Sequence, residues 1–115
     1  MYQYASKLVK VVDGDTVDLT VDLGFMVSVF SRFRLEGINA PELKNETLAA
    51  GKASKVHLES LLADAQLGVI RLDSTGKDKY GRWVAKLYYV SQSTGELVDV
   101  CQRMIADGFA VPFMT

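Results

Sequence analysis

Val12-Asp13-Gly14-Asp15-Thr16-Val17 is the stretch from which the fold of this chain can be read. Asp13-Gly14 is a strong hairpin signal, because glycine accepts the positive φ that tight turns require. On its near side, Leu8 to Val12 reads as a strand. On its far side Val17, Leu19, Val21 and Leu23 alternate with Thr16, Asp18, Thr20 and Asp22. That period of two marks a strand with one buried face. Asp15 shares the parity of Val17, so its carboxylate is expected to point inward at the strand's mouth, where an unpaired charge is costly. A cation or an arginine is the expected partner.

Outward from this turn, a third strand is predicted from Met26 to Glu36, broken at Gly37, with Ala40-Pro41 forcing an extended or turning backbone. Thr47 to Ala65 is helical in pattern. Lys52, Lys55 and Glu59 make a narrow polar stripe, while Ala49, Ala53, Val56, Leu58, Leu61 and Leu62 cover most of the rest, which predicts a well-buried helix. Leu67 to Leu72 and Trp83 to Val90 read as further strands. Ser93 and Glu96 have capping-box spacing and predict a last helix with Leu97, Cys101, Met104 and Ile105 on its apolar side, ended by Gly108. Three strands, helix, two strands, helix is the order of a mainly β, α+β protein. It predicts one domain over residues 1–115, a five-stranded Greek-key OB-fold barrel with two to three α-helices.

Composition agrees with a single globular domain: 115 residues, 49% hydrophobic and 23% charged. The one cysteine, Cys101, excludes an internal disulfide framework and fits the last helix as a small hydrophobe. No run of apolar residues is long enough for a membrane span, and Met1 to Lys7 lacks the apolar core of a signal peptide. If Met1 is the natural start, an intracellular protein is expected. With 13 Lys and Arg against 14 Asp and Glu, overall charge gives no support to tight nonspecific DNA binding. A local basic cleft from Arg34, Lys44, Lys77, Lys79 and Arg82 remains, implying weak, salt-dependent binding of an anion.

Two more segments carry chemistry. Phe33-Arg34-Leu35-Glu36-Gly37-Ile38-Asn39-Ala40-Pro41-Glu42 and Asp78-Lys79-Tyr80-Gly81-Arg82 add two arginines, a glutamate and an aromatic ring to Asp15. Carboxylates that hold a divalent cation and arginines that clamp a phosphate are what phosphoryl transfer needs. Arginine offers a planar fork that matches two phosphate oxygens and stays charged at any working pH. Oxygen donors select calcium or magnesium, and no Cys/His cluster favours a softer metal.

In this order and spacing the three segments resemble the staphylococcal-nuclease-like (thermonuclease) family, from about Lys7 to Gly108. The resemblance implies a calcium-dependent hydrolase that cuts phosphodiesters of DNA and RNA and releases 3′-phosphate ends. It implies one Ca2+ ion held by Asp15, by the residue at Asn39 and by the main-chain carbonyl of Ala40. It assigns Glu42 to the attacking water, Arg34 and Arg82 to the scissile phosphate, and Lys79 and Tyr80 to a terminal phosphate and a neighbouring nucleotide. The implied partners are DNA and RNA, with no membrane and no obligate protein partner, and the chain is expected to be a monomer.

The chain departs from the family at Asn39, where most members place a second calcium-binding aspartate. An amide oxygen still ligates calcium but contributes no charge, so binding is expected to weaken toward about 10⁻⁴ to 10⁻³ M. The loop from Leu43 to Gly51 is shorter than in the best-known members. The ending Val111-Pro112-Phe113-Met114-Thr115 lacks their base-facing tyrosine. Asn39 and the acidic composition support a second reading, a nucleic-acid-binding OB module with impaired catalysis, and the scaffold itself allows a third, a protein-interaction domain.

Plainer roles compete for individual residues. Asp13 is read as a turn former and supporting acid. Asp15 and Glu42 could pair structurally with Arg34 and Arg82, and Lys79-Tyr80 could be only a solvated turn. Trp83 is read as barrel core and His57 as a packed or surface histidine. Asn45-Glu46-Thr47 is read as a helix start rather than a glycosylation site.

Overall fold

The computed structural model describes residues 2–113. Three long antiparallel strands come first: β1 (Tyr2–Asp13), β2 (Thr16–Gly24) and β3 (Val27–Leu35). A short strand β4 (Ile38–Asn39) leads through a loop to helix α1 (Leu48–Ala63). Then follow β5 (Ile70–Lys77), β6 (Trp83–Val90), the short β7 (Leu97–Asp99), helix α2 (Val100–Ala106) and β8 (Val111–Pro112).

The sheet runs β3-β2-β1-β5-β6, with the short β7 added on β6, and β3 also pairs with β6 in parallel through Arg34↔Val84 and Leu35↔Ala85. That last pairing closes five strands into the expected barrel, so no barrel strand is left as an open edge. Inside lie Val17, Leu19 and Val21 of β2, Phe33 and Leu35 of β3, Ile70 and Leu72 of β5, and Ala85 and Leu87 of β6. Leu58 and Leu62 of α1, with Val100 and Met104 of α2, join the same core. The period of two on β2 is thus obeyed as far as Val21, but Leu23 is exposed.

Several local expectations are corrected. Gly14 does not adopt a positive φ. It is there for space, since a Cβ would come within 2.1 Å of Ser54 Oγ and 2.7 Å of the Ala40 methyl. The glycine therefore lets the β1–β2 turn press against α1. That helix is not well buried: only Gly51, Ser54, Leu58 and Leu62 are covered, one stripe at helical spacing, and Val56 is 57% exposed. β5 begins at Ile70, because Leu67 and Gly68 both take positive φ in a 3-10 turn. The last helix begins at Val100 rather than near Ser93. Asp99 caps it by accepting a hydrogen bond from the Gln102 N–H at 3.1 Å, while Ser91 and Ser93 use their hydroxyls on Asp64.

Trp83 is also misread as core. It has the buried parity of Ala85 and Leu87 but stands at the first position of β6, at the rim of the barrel, and is 44% exposed. His57 stacks on Phe109 at 4.1 Å and pairs with Asp107 at 2.7 Å, a packed histidine as expected. Among the described residues no helix is long and apolar enough to cross a membrane.

Candidate active site

Barrel closure builds the site. Because Arg34 pairs with Val84 across the β3–β6 seam, it lies beside the turn that precedes β6, and that turn carries Lys79, Tyr80 and Arg82. All four line one cleft of about 690 Å³. The small β4–β8 ladder adds a further wall: Asn39 pairs with Val111, and the Phe113 N–H donates to the Gly37 carbonyl at 2.9 Å. Phe113 thereby lies in the cleft, its ring centroid 5.7 Å from the Arg34 guanidinium carbon. Phe113 had no role in the sequence pattern, because only the strand pairing brings it back to β3.

Arg34 is held from several sides. Nη1 donates to the Leu35 carbonyl at 3.1 Å and stands 3.4 Å from Asp15 Oδ2, and Nη2 donates to Asn39 Oδ1 at 3.2 Å. Its side chain is only 11% exposed. Asp15 is buried as its parity predicts. Its Oδ2 accepts the Ala40 N–H at 2.9 Å and its Oδ1 accepts the Thr16 hydroxyl at 3.1 Å. Burial first, and the adjacent Asp13 second, push the Asp15 carboxyl up to about 6, while the Ala40 N–H and Arg34 pull it down. Asp13 Oδ1 accepts the Asp15 N–H at 3.0 Å, the turn-forming role expected of it.

On the facing turn, Asp78 is the organiser that the sequence reading passed over. Its Oδ1 accepts the N–H groups of Tyr80 and Arg82 at 2.9 and 3.0 Å, and its Oδ2 takes Arg82 Nε at 2.7 Å. Burial raises its pKa, but the hydrogen bonds from Arg82 and Tyr80 outweigh this and hold the carboxyl below its ordinary range. The signal was present as an aspartate leading a tight Gly-containing turn. Arg82 spends only Nε on this bond, so its Nη groups have no hydrogen-bond partner among the described residues. Tyr80 lies between two cations, with Lys79 Nζ 5.3 Å and the Arg82 guanidinium carbon 5.2 Å from its centroid.

A sequence model of the staphylococcal nuclease homologue family matches residues 32–114, most of the chain and both arginines. The chain belongs to that family. No curated protein matches it. The match begins at Arg32, so the Asp13–Asp15 turn lies outside it.

In this family member Glu42 stands apart from the cleft. Its carboxylate is exposed and pairs with Lys44 Nζ at 3.0 Å, so Lys44 is also spent outside the cleft. The Glu42 backbone is fixed more firmly: its carbonyl accepts the Thr47 hydroxyl at 2.6 Å. The same carbonyl packs so closely on α1 that a Cβ on Gly51 would lie 2.6 Å from it.

Proposed function

We propose that the protein is a metal-assisted nuclease that hydrolyses phosphodiesters of DNA, and of RNA by the same chemistry, leaving 3′-phosphate ends. The observation that carries this reading is the convergence of Arg34 and Arg82 on one cleft, in a member of a nuclease family. Arg34, fixed by Asp15 and Asn39, would hold one phosphate oxygen from the inner wall. Arg82, with its Nη groups unspent, would take the others from the turn. Two guanidinium groups would then stabilise the charge that grows as phosphorus becomes five-coordinate, which is electrostatic catalysis by pre-placed donors. Tyr80 and Lys79 would hold the neighbouring sugar and phosphate.

The resemblance implies calcium, and the residues fit a hard cation in kind. The Asp15 carboxylate, the Asn39 amide oxygen and the Ala40 carbonyl are all oxygen donors. The set is lean in charge, with one carboxylate, and both Asp15 Oδ2 and Asn39 Oδ1 already face Arg34. No group of three or more His, Cys, Asp or Glu that could hold a metal occurs among the described residues. Asp15, Asn39 and Ala40 would hold the ion weakly, and when bound it would supply Lewis-acid help to the phosphate and its attacking water. Glu42 is the base only if its side chain leaves Lys44. That pairing supports the second reading, a nucleic-acid-binding module with impaired catalysis.

Hydrolysis of labelled single-stranded DNA over a calcium series up to about 10 mM, with chelator and Arg82→Ala as controls, separates the two. Cleavage that rises with calcium and disappears in both controls supports the nuclease. Binding without cleavage, followed by a gain of cleavage in Asn39→Asp, would identify the impaired module.

A further inference from the structure

The arginine cleft does not end at Glu36 and Thr75. The same two residues also line a second groove, of about 780 Å³, at the end of the barrel. Its walls carry four aromatic rings, Tyr2 and Tyr4 of β1, Phe33 of β3 and Trp83 of β6, among aliphatic side chains, with one cation, Lys86, and the Glu36 carboxylate in the lining. The ridge between the two hollows is the β5–β6 register pair Lys77 and Trp83. Lys77 lines the cleft, Trp83 lines the groove, and Lys77 Nζ stands 4.7 Å from the centroid of the Trp83 rings. Gly76, at the bulge in β5, keeps the floor open, since a Cβ there would meet nothing within 4 Å.

The chemistry of the groove selects its occupant. Trp83 is a half-exposed aromatic face beside a cation, the pairing that receives a base next to a phosphate. Glu36 Oε2 is buried at the junction and has no hydrogen-bond partner among the described residues. A buried acceptor without a donor is costly and calls for an N–H. A carboxylate there accepts the N–H groups on the edge of a nucleobase. The cleft, with two arginines and two lysines, suits phosphate, and the groove, with its rings, aliphatic side chains and a single Glu36 and Lys86, suits a base.

We propose that this groove is a nucleobase subsite. It takes the unpaired base next to the phosphate held by the arginines, stacked on Trp83, with the Glu36 carboxylate turning at the junction to accept an N–H from the base edge. This deepens the nuclease reading and rests on it. It also makes single strands the preferred substrate, because a base inside a duplex must leave its stack to enter.

Trp83 is the only tryptophan in the chain, so its fluorescence reports on the groove directly. A short single-stranded oligothymidylate with phosphorothioate links to resist cutting would be titrated in chelator and in calcium. Binding would be read both by anisotropy of an end label and by tryptophan quenching. An abasic oligomer of the same length is the comparison. The thymidylate is expected to quench Trp83 and the abasic strand to bind without quenching. Trp83→Leu should weaken thymidylate binding about 5- to 100-fold and leave the abasic strand unchanged, with Trp83→Phe recovering most of the loss. Thymidylate that binds by anisotropy with no quenching and with equal affinity to Trp83→Leu would overturn the subsite and leave the nuclease standing. Failure of both strands to bind the unaltered protein would overturn both readings.

Discussion

β3 forms two arginine–aspartate pairs, one with β2 and one with the turn that leads into it, and the two differ in structure. Arg32 and Asp18 face each other in register and close a fork, Nε to Oδ1 at 2.8 Å and Nη2 to Oδ2 at 3.2 Å. Asp18 is fully buried, yet its hydrogen bonds with Arg32 outweigh burial and hold its carboxyl below the ordinary range. Arg71 and Asp73 repeat this closed fork on β5 at 2.9 Å for both bonds. Arg34 instead reaches Asp15 with one nitrogen at 3.4 Å and divides its other donors between a carbonyl and an amide. An arginine with a filled fork ties strands together. One that is shared keeps attraction for a phosphate, because no single carboxylate has neutralised it in bidentate geometry.

The largest test of this difference is to delete each arginine in turn. Arg82→Ala and Arg34→Ala should each lower kcat/KM for single-stranded DNA by about 10²- to 10³-fold with the fold intact by circular dichroism. Arg32→Ala should leave cleavage within a few fold and instead lower stability by about 1–3 kcal/mol, since it strands the buried Asp18 carboxylate. Equal activity losses at Arg32 and Arg34 would erase the distinction.

Gly14→Ala strikes the cleft pair alone. The added methyl must displace Ser54 or Ala40, and Ala40 holds Asp15 through its N–H. A loss of about 1–3 kcal/mol in urea unfolding is expected, together with reduced cleavage. The Asp18–Arg32 fork should be untouched, so the loss of its contribution as pH falls below 3.8 should be unchanged.

Stability against pH should separate the aspartates with opposite sign. Asp18 has a lowered pKa, so its contribution is present above the unfolded value of 3.8 and is lost as pH falls below it. Asp15 is raised to about 6, so its contribution is complete below 3.8 and is lost as pH rises through about 6. Thermal unfolding of Asp15→Asn should therefore show a flatter decline between about pH 4 and 6. Asp18→Asn should flatten the decline below about pH 4. Matching profiles for the two variants would mean that their surroundings do not differ in the way the geometry indicates.

The smallest effect is at the far tip of the same two strands. Phe25 and Met26 both have positive φ, 54° and 64°, in the β2–β3 turn, and their side chains are fully exposed. Replacing them with Asn-Gly, the pair this turn favours, should stabilise the protein by about 1 kcal/mol in urea unfolding and leave cleavage unchanged. A change in cleavage would show that the hairpin tip is coupled to the cleft.

Much of the site was legible because its parts are local. Asp15 at a strand mouth was visible from parity, and Arg34 and Arg82 from the short motifs that resemble the family. Glu42 was legible as a residue but not as a position, because its loop turns the carboxylate to Lys44. Trp83 failed as a core prediction for a related reason: parity gives the face of a strand but not whether the barrel continues over it. Ser93 failed as a cap because Asp64, from the end of α1, claims its hydroxyl.

The sequence by itself determined the order of the five long strands and two helices, the inward face of the central strands, the presence of one core and the kind of chemistry its arginines and carboxylates can perform, while the short β4, β7 and β8 were not visible in it. These follow from short-range periodicity and from the charge and shape of single side chains. Only the tertiary structure decided which charges meet. The parallel β3–β6 seam joins Arg34 to the turn of Arg82, the β4–β8 ladder brings in Phe113, and one glycine sets the distance from Asp15 to α1. Pairings across such sequence distances depend on where the closed barrel puts its strands, and no local pattern encodes that.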